Sequence, residues 1–292
     1  MKLKLGAVIL NYNDSHTTEK LISALIDFKT IDRIVIVDNC STDNSFQVLQ
    51  SCRNNKIDII QSDRNGGYGY GNNFGINYLN NRYHPQYMLI LNPDVEIEEK
   101  TIIKMLDTFL LKEDIAIVAP FMKNRDGNKD PGAAWKIPSK YEYIFSAELL
   151  CGHFLRPSYY DRLVEINDKE FMEVDCVAGS LLMVDAEKMR QHGMYDENIF
   201  LFGEETTIGC KFKRAGLKTV LLLQDTFLHF HGVSINKSIG SEVKKRRLML
   251  QSRKYILKTY LGASKLDLIL AKIVYGFSML EFRILLILRG NK

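Results

Sequence analysis

Apolar residues in this chain gather into short solid runs separated by stretches of helical spacing. Residues 5–10, 34–37, 57–60 and 88–91 are such runs, brief and rich in Val, Ile and Leu, and each reads as a buried strand. Between the first two, Leu21, Ile22, Leu25 and Ile26 fall on one face of a helix over residues 17–28 that starts near Asp14 or Ser15. A second helix runs through Phe46, Val48 and Leu49. Strand, helix and strand at this spacing predict parallel βαβ units with right-handed crossovers, an α/β fold. Residues 101–111 read as a further helix with an acidic approach, and residues 115–119 as another strand. Pattern weakens over residues 120–173, which carry Trp135, Pro131, Pro138 and Pro157. That segment is either a loop-rich substrate region or a poorly patterned connection. Regularity returns at residues 174–184, around Gly179 and Ser180. Residues 199–202 read as an aromatic strand ending in Glu204 and Glu205, which open a helix to Gly216, and residues 217–223 as a last strand.

Polar residues follow the strands. Asn11 and Asn13 come after the first, Asp38, Asn39 and Asp43 after the second, and Asn92-Pro93-Asp94 after the fourth. Any one of these is an ordinary turn. Together they aim polar groups at the carboxyl edge of the sheet, where open α/β folds bind ligands. Pro93 ends its strand abruptly, because it cannot donate to a ladder and it restricts Asn92. Asp94 is thereby held at that edge, where a hard divalent cation carrying a diphosphate takes one or two protein oxygens. The glycine-rich stretch 63–75 leads into a helix whose first N–H groups suit an anion, although neither a dinucleotide fingerprint nor a P-loop is spelled. Glu204 and Glu205 either complement a helix N-terminus or supply a general base. His229 and His231 offer imidazole to a divalent metal.

Size and charge add bounds. A chain of 292 residues has ample core for one large or two modest domains. Its net charge of +4 is too mild to argue for nucleic acid, and no nucleic-acid partner is expected. Five scattered cysteines with no C-x-x-C pair suit reduced thiols and a cytoplasmic location, and no signal peptide is expected.

In order along the chain stand Val-Ile-Leu-Asn-Tyr-Asn (8–13), Val-Asp-Asn-Cys-Ser-Thr-Asp (37–43), Asn65-x-Gly67 through Asn72, and Leu-Asn-Pro-Asp (91–94). Val-Ala-Gly-Ser (177–180), Asp-Glu-Asn-Ile-Phe (196–200) and Gly-Glu-Glu (203–205) follow. With these motifs the chain resembles the family 2 inverting glycosyltransferases of GT-A fold, in their bacterial polysaccharide and rhamnosyltransferase-like branch. The resemblance implies transfer of a sugar from a UDP- or dTDP-sugar to a hydroxyl of a glycan or lipid-linked oligosaccharide. It implies that Asn11, Asn13, Asp38, Asn39, Asp43, Arg64, Gly67, Asn72 and Asn92 hold the nucleotide. Asp94 and His229 would hold Mg²⁺ or Mn²⁺, Glu205 or its neighbour Glu204 would be the base, and Trp135, Gly179 and Ser180 would face the acceptor. Asn92 replaces the first Asp of the family's metal motif, Glu205 replaces an Asp, and Thr207 and Lys211 replace a downstream Asp and Arg. A nucleotide-sugar-binding protein without turnover is the alternative.

The organisation expected is a GT-A domain over residues 1–240 and a helical extension over 241–292. The extension is basic around Lys244-Lys245-Arg246-Arg247 and then apolar over 266–288, interrupted by Asp267, Lys272, Glu281 and Arg283. It reads equally as an interfacial helix on the inner face of the cell membrane and as a core-packing or homodimer contact.

Overall fold

The computed structural model describes residues 4–147, 169–230 and 241–290. The first half alternates as expected: β1 (Leu5–Asn11), α1 (Ser15–Leu25), β2 (Arg33–Asp38), α2 (Ser45–Gln50), β3 (Ile57–Gln61), α3 (Tyr68–Tyr83) and β4 (Tyr87–Leu91). β5 (Val95–Glu96), α4 (Glu99–Phe109) and β6 (Ile115–Lys123) follow. The weakly patterned segment contains β7 (Ala134–Trp135), α5 (Lys140–Phe145) and β8 (Phe171–Val174), and then come β9 (Cys176–Val177), β10 (Leu181–Asp185) and the single turn α6 (Ala186–Lys188). α7 (Glu204–Arg214), β11 (Lys218–His229), α8 (Glu242–Thr259) and α9 (Lys265–Gly290) complete the described chain.

The main sheet runs β3-β2-β1-β4-β10-β6-β11-β5, with β8 beside β11. β1, β2, β3 and β4 are mutually parallel, as are β6 and β11, so the sheet is mostly parallel and α/β as expected. β10 runs antiparallel to both its neighbours. An antiparallel strand starts where parallel neighbours end, so β10 delivers Gly179 and Ser180 to the ligand edge. The central strands are solid apolar runs because both faces are covered. Ile9, Ile36 and Leu89 are fully buried.

Three local expectations need correction. The glycine-rich stretch is not a loop beyond Gly67, because α3 begins at Tyr68. Its glycines let the helix lie close on the sheet: a Cβ on Gly75 would sit 2.6 Å from Val8 Cγ1 and 2.7 Å from Val37 Cγ2. Residues 199–202 form a turn and not a strand. The Asp196 carboxylate accepts from the Asn198 amide at 3.0 Å, and Phe202 and Gly203 both take positive φ, which no strand tolerates. The last strand extends to His229, which pairs with Val95. His229 is therefore a strand residue. His231 lies outside the described residues.

A second apolar cluster joins the C-terminal helices to the rest. Ile256, Leu257, Ala271 and Val274 pack with Tyr143 and Ile144 of α5 and with Ile199 of the turn. Arg253 stacks over the Tyr143 ring at 4.1 Å and donates to Ser146 Oγ at 2.7 Å.

Candidate active site

Asn11 and Asp38 are register partners on β1 and β2, and both are fully buried at the carboxyl edge. The Asp38 carboxylate accepts from Asn11 Nδ2 at 2.9 Å, Ser41 N at 3.0 Å, Ser41 Oγ at 2.5 Å and Gln61 Nε2 at 3.0 Å. Those four bonds match a carboxylate's acceptor capacity, so Asp38 fixes the turn after β2. Asn13 sits in the left-handed region that Asn tolerates, and its side chain bonds Thr42 N at 2.8 Å and Thr42 Oγ1 at 3.0 Å. Asn39 is buried against Asn65 and the Gly67 carbonyl, at 3.1 Å each. Asp43, exposed, accepts from Ser45 N at 2.9 Å.

Asp94 is 5 % exposed, and its Oδ1 has no hydrogen-bond partner among the described residues. His229 Nε2 stands 3.4 Å from that oxygen. The two strands are locked in this register, since Phe230 N donates to the Asp94 carbonyl at 3.0 Å. Burying a carboxylate oxygen without a donor is costly, and a cation relieves the cost. No three His, Cys, Asp or Glu side chains cluster as metal ligands among the described residues. One carboxylate and one imidazole nonetheless fit Mg²⁺ or Mn²⁺, which usually complete their shell with substrate phosphate and water.

Asn92, half-buried, ties this end of β4 to the start of the neighbouring β10, because its backbone N–H donates to the Ser180 carbonyl at 2.8 Å. Next to Ser180, Gly179 faces Glu205: a Cβ there would lie 2.8 Å from Glu205 Oε1. Burial pushes the Glu205 carboxyl up, opposed by the backbone N–H groups of Glu205 and Gly179. Glu204 is only 4 % exposed, and its Oε1 has no hydrogen-bond partner among the described residues. Burial first, and then the neighbouring Glu205 charge, hold Glu204 well above the usual carboxylate range. Both carboxyls are thus held up by burial, and Glu204 carries in addition the unfavourable charge of Glu205. Thr207, where an Asp was expected, donates to the Glu204 carbonyl at 2.8 Å, and Lys211 donates to the Met194 carbonyl. Trp135 reaches the same helix start, its Nε1 donating to Thr206 Oγ1 at 3.3 Å.

The structure thus unites Asn11, Asn13, Asp38 and Asn39 in one cluster, Asp94 with His229 in a second, and Asn92, Gly179, Ser180, Glu204, Glu205 and Trp135 in a third. All stand on one edge. From β2 through β1 and β4 to β10 is three strand spacings, about 15 Å. Two expected nucleotide ligands stay apart from these clusters. Arg64 points outward, stacked on Tyr70 at 4.3 Å, and Asn72 is fully buried within α3, where it bonds the Tyr68 carbonyl at 3.1 Å. At Gly67, the Cβ position is filled by the Phe200 carbonyl oxygen. Sequence reasoning missed Tyr68, whose hydroxyl donates to the Gly179 carbonyl at 2.6 Å beside Glu205. An aromatic residue framed by Gly67 and Gly69 was the available signal. It also missed the support behind the turn. Asp196 accepts from Tyr255 and Tyr260 at 3.0 and 2.6 Å, Ser252 Oγ donates to the Leu201 carbonyl at 2.7 Å, and Ile256 lies against Gly203.

Residues 7–184 match the model of the family described as Glycosyl transferase family 2. A low-salt glycan biosynthesis hexosyltransferase, Agl10 of Haloferax volcanii, is 28 % identical over 73 % of this chain. The chain spans 62 % of that relative's length. An N-acetylglucosaminyl-diphospho-decaprenol L-rhamnosyltransferase of Mycobacterium tuberculosis is 23 % identical over 82 % of this chain and 80 % of its own. Among solved structures, GalNAc-T7 with UDP, GalNAc and Mn²⁺ superposes with a TM-score of 0.61 at 15 % identity, over 79 % of this chain and 44 % of that one. That likeness establishes the fold, which is the GT-A arrangement.

Proposed function

The chain belongs to glycosyl transferase family 2, and on that premise we propose that it is an inverting, metal-dependent transferase. It moves a sugar from a UDP- or dTDP-sugar to a hydroxyl of a growing glycan or lipid-linked oligosaccharide, working from the cytoplasm at the inner face of the membrane. One observation carries this reading. The Asn92–Ser180 backbone hydrogen bond and the adjacent Gly179–Glu205 contact together support it, since they join the Glu205 carboxylate to the end of the strand that leads into Asp94.

The Glu205 carboxylate accepts the proton of the acceptor hydroxyl, whose oxygen attacks the anomeric carbon opposite the nucleoside diphosphate. The sugar-to-phosphate bond breaks as the new glycosidic bond forms, so the anomeric centre inverts. Asn13 and the turn that Asn11 and Asp38 organise hold the nucleoside, Gly179 N–H orients Glu205, and Trp135 walls the acceptor side. Mg²⁺ or Mn²⁺ on Asp94 and His229 would supply charge neutralisation at the leaving diphosphate.

The test is release of nucleoside diphosphate from a panel of UDP- and dTDP-sugars with Mn²⁺. Release that EDTA suppresses supports the reading, whereas tight binding of a nucleotide sugar with no release assigns the protein to the non-catalytic class. Calorimetric titration of the nucleoside diphosphate, with and without Mn²⁺, tests the metal residue independently of turnover. Asp94→Asn is expected to erase the metal-dependent gain in affinity, about ten-fold or more. Identical titrations for wild type and variant remove Asp94 from the metal site.

Glu204 and Glu205 separate by pH. A base with a raised pKa loses activity as pH falls through that value, so the acid limb of kcat/KM lies above the ordinary carboxylate range. Glu204→Gln is expected to leave that limb in place. It also removes a stability slope. A carboxyl whose folded pKa is raised costs stability as pH rises from its unfolded value through its folded one, and glutamine has no such term. A vanished acid limb in Glu204→Gln makes Glu204 the base instead.

A further inference from the structure

α9 presents two faces. Asp267, Ala271, Val274 and Ser278 are buried on one, with Asp267 held by Lys140 Nζ and Ser264 Oγ at 2.7 Å each. On the other, Leu266, Ile273, Phe277, Leu280, Ile284 and Ile287 follow one another at three- and four-residue steps, or in their multiples, each 48–78 % exposed. This stripe is roughly 32 Å long. Along one edge of it lie Lys265, Lys272 and Arg283, within about 20° of one another around the helix. That edge opens into a groove of about 430 Å³ between α8 and α9, lined by Arg247 and Lys254 of α8 and by Lys272, Leu280 and Arg283 of α9. Among the described residues no acidic side chain lines the groove.

We propose that this surface docks on the anionic face of a lipid bilayer. The α9 stripe enters the acyl boundary, and the groove cations meet lipid phosphates. The inference deepens the membrane-facing part of the proposed function and rests on it, though not on the transfer chemistry. Large exposed apolar side chains beside a cationic edge are the pattern of a helix lying in an interface, where apolar burial and attraction to anionic lipid add. No described helix is long and apolar enough to cross a membrane, so the stripe lies in the surface plane. A second copy fits less well. A twofold contact is self-complementary, and through this groove it would bring four cations against another four. The opposite face of α8 bonds Leu201 and packs on Gly203, so docking would fix the turn that leads into Glu204 and Glu205 about one helix diameter, roughly 10–12 Å, from the lipid surface.

Flotation of the full chain with vesicles tests this directly, because no nucleotide sugar or turnover is involved. Vesicles of phosphatidylglycerol and phosphatidylcholine in equal parts are expected to carry the protein at least about ten-fold better than phosphatidylcholine alone. Lys272→Glu with Arg283→Glu is expected to lose that preference, and Ile273→Ser with Phe277→Ser to lose flotation. All four side chains are exposed, and nucleotide binding in solution reports that each variant is folded. Equal flotation with both vesicle types, or charge-reversed protein that floats like wild type, overturns the proposal. So does a concentration-dependent dimer in sedimentation that Ile273→Ser with Phe277→Ser disperses while wild type ignores vesicles. That last result assigns the face to a second copy.

Discussion

Glu205→Gln is expected to lower sugar transfer by about 10²–10⁴-fold while leaving nucleotide-sugar affinity near wild type. Glutamine keeps the length of the side chain and its packing against Gly179, but it cannot take a proton from the acceptor. The remaining rate comes from orientation and charge stabilisation, which the substitution does not touch. Two measurements bear on it: single-turnover transfer, and calorimetric binding of the donor. A variant that keeps full turnover would falsify the base assignment. A variant that loses binding and turnover together makes Glu205 a structural prop.

Gly67→Ala is expected to cost roughly 3–5 kcal/mol, from a strained positive φ and a steric clash together. Gly67 has φ 91°, and an added Cβ would lie 2.0 Å from the Phe200 carbonyl oxygen and 2.7 Å from Phe200 Cα. Backbone is what stands in the way, so no side-chain rotation relieves it. Phe200 also accepts from Tyr68 N at 3.0 Å, which ties the start of α3 to the turn before Glu204. The loss is a large share of a typical stability of about 5–15 kcal/mol. For a chain of this size it lowers Tm by roughly 5–8 °C. An unchanged melting curve shows that the turn and α3 can separate freely.

Much of the strand-end cluster was legible because its cause is local. A short apolar run closed by Asn-Pro-Asp or Asp-Asn announces both a buried strand and the polar group at its end. The antiparallel β10 was not legible, since an apolar run carries no record of its direction. α3 defeated local reasoning for a different reason. Gly69, Gly71 and Gly75 disfavour a helix intrinsically, yet close packing on Tyr195, on Leu10 and on Val8 and Val37, in that order, overrides propensity. The aromatic composition of residues 199–202 suggested a strand, and the Asp196–Asn198 bond and the left-handed pair Phe202 and Gly203 reveal the turn. The role of α8 behind that turn was invisible for want of sequence proximity. Tyr255 and Tyr260 reach Asp196 across some sixty residues, at separations of 59 and 64.

That last contact has a consequence for biosynthesis. Ser252, Ile256 and Tyr260 leave the ribosome about fifty residues after Glu205, which at ~5–20 residues per second is roughly 2–10 s later. Until then the turn that leads into Glu205 lacks its backing, although the sheet beside it can already be complete. A nascent chain with only its first 250 residues outside the ribosome would hold the Asn11–Asp38 cluster complete and the turn before Glu204 without its backing.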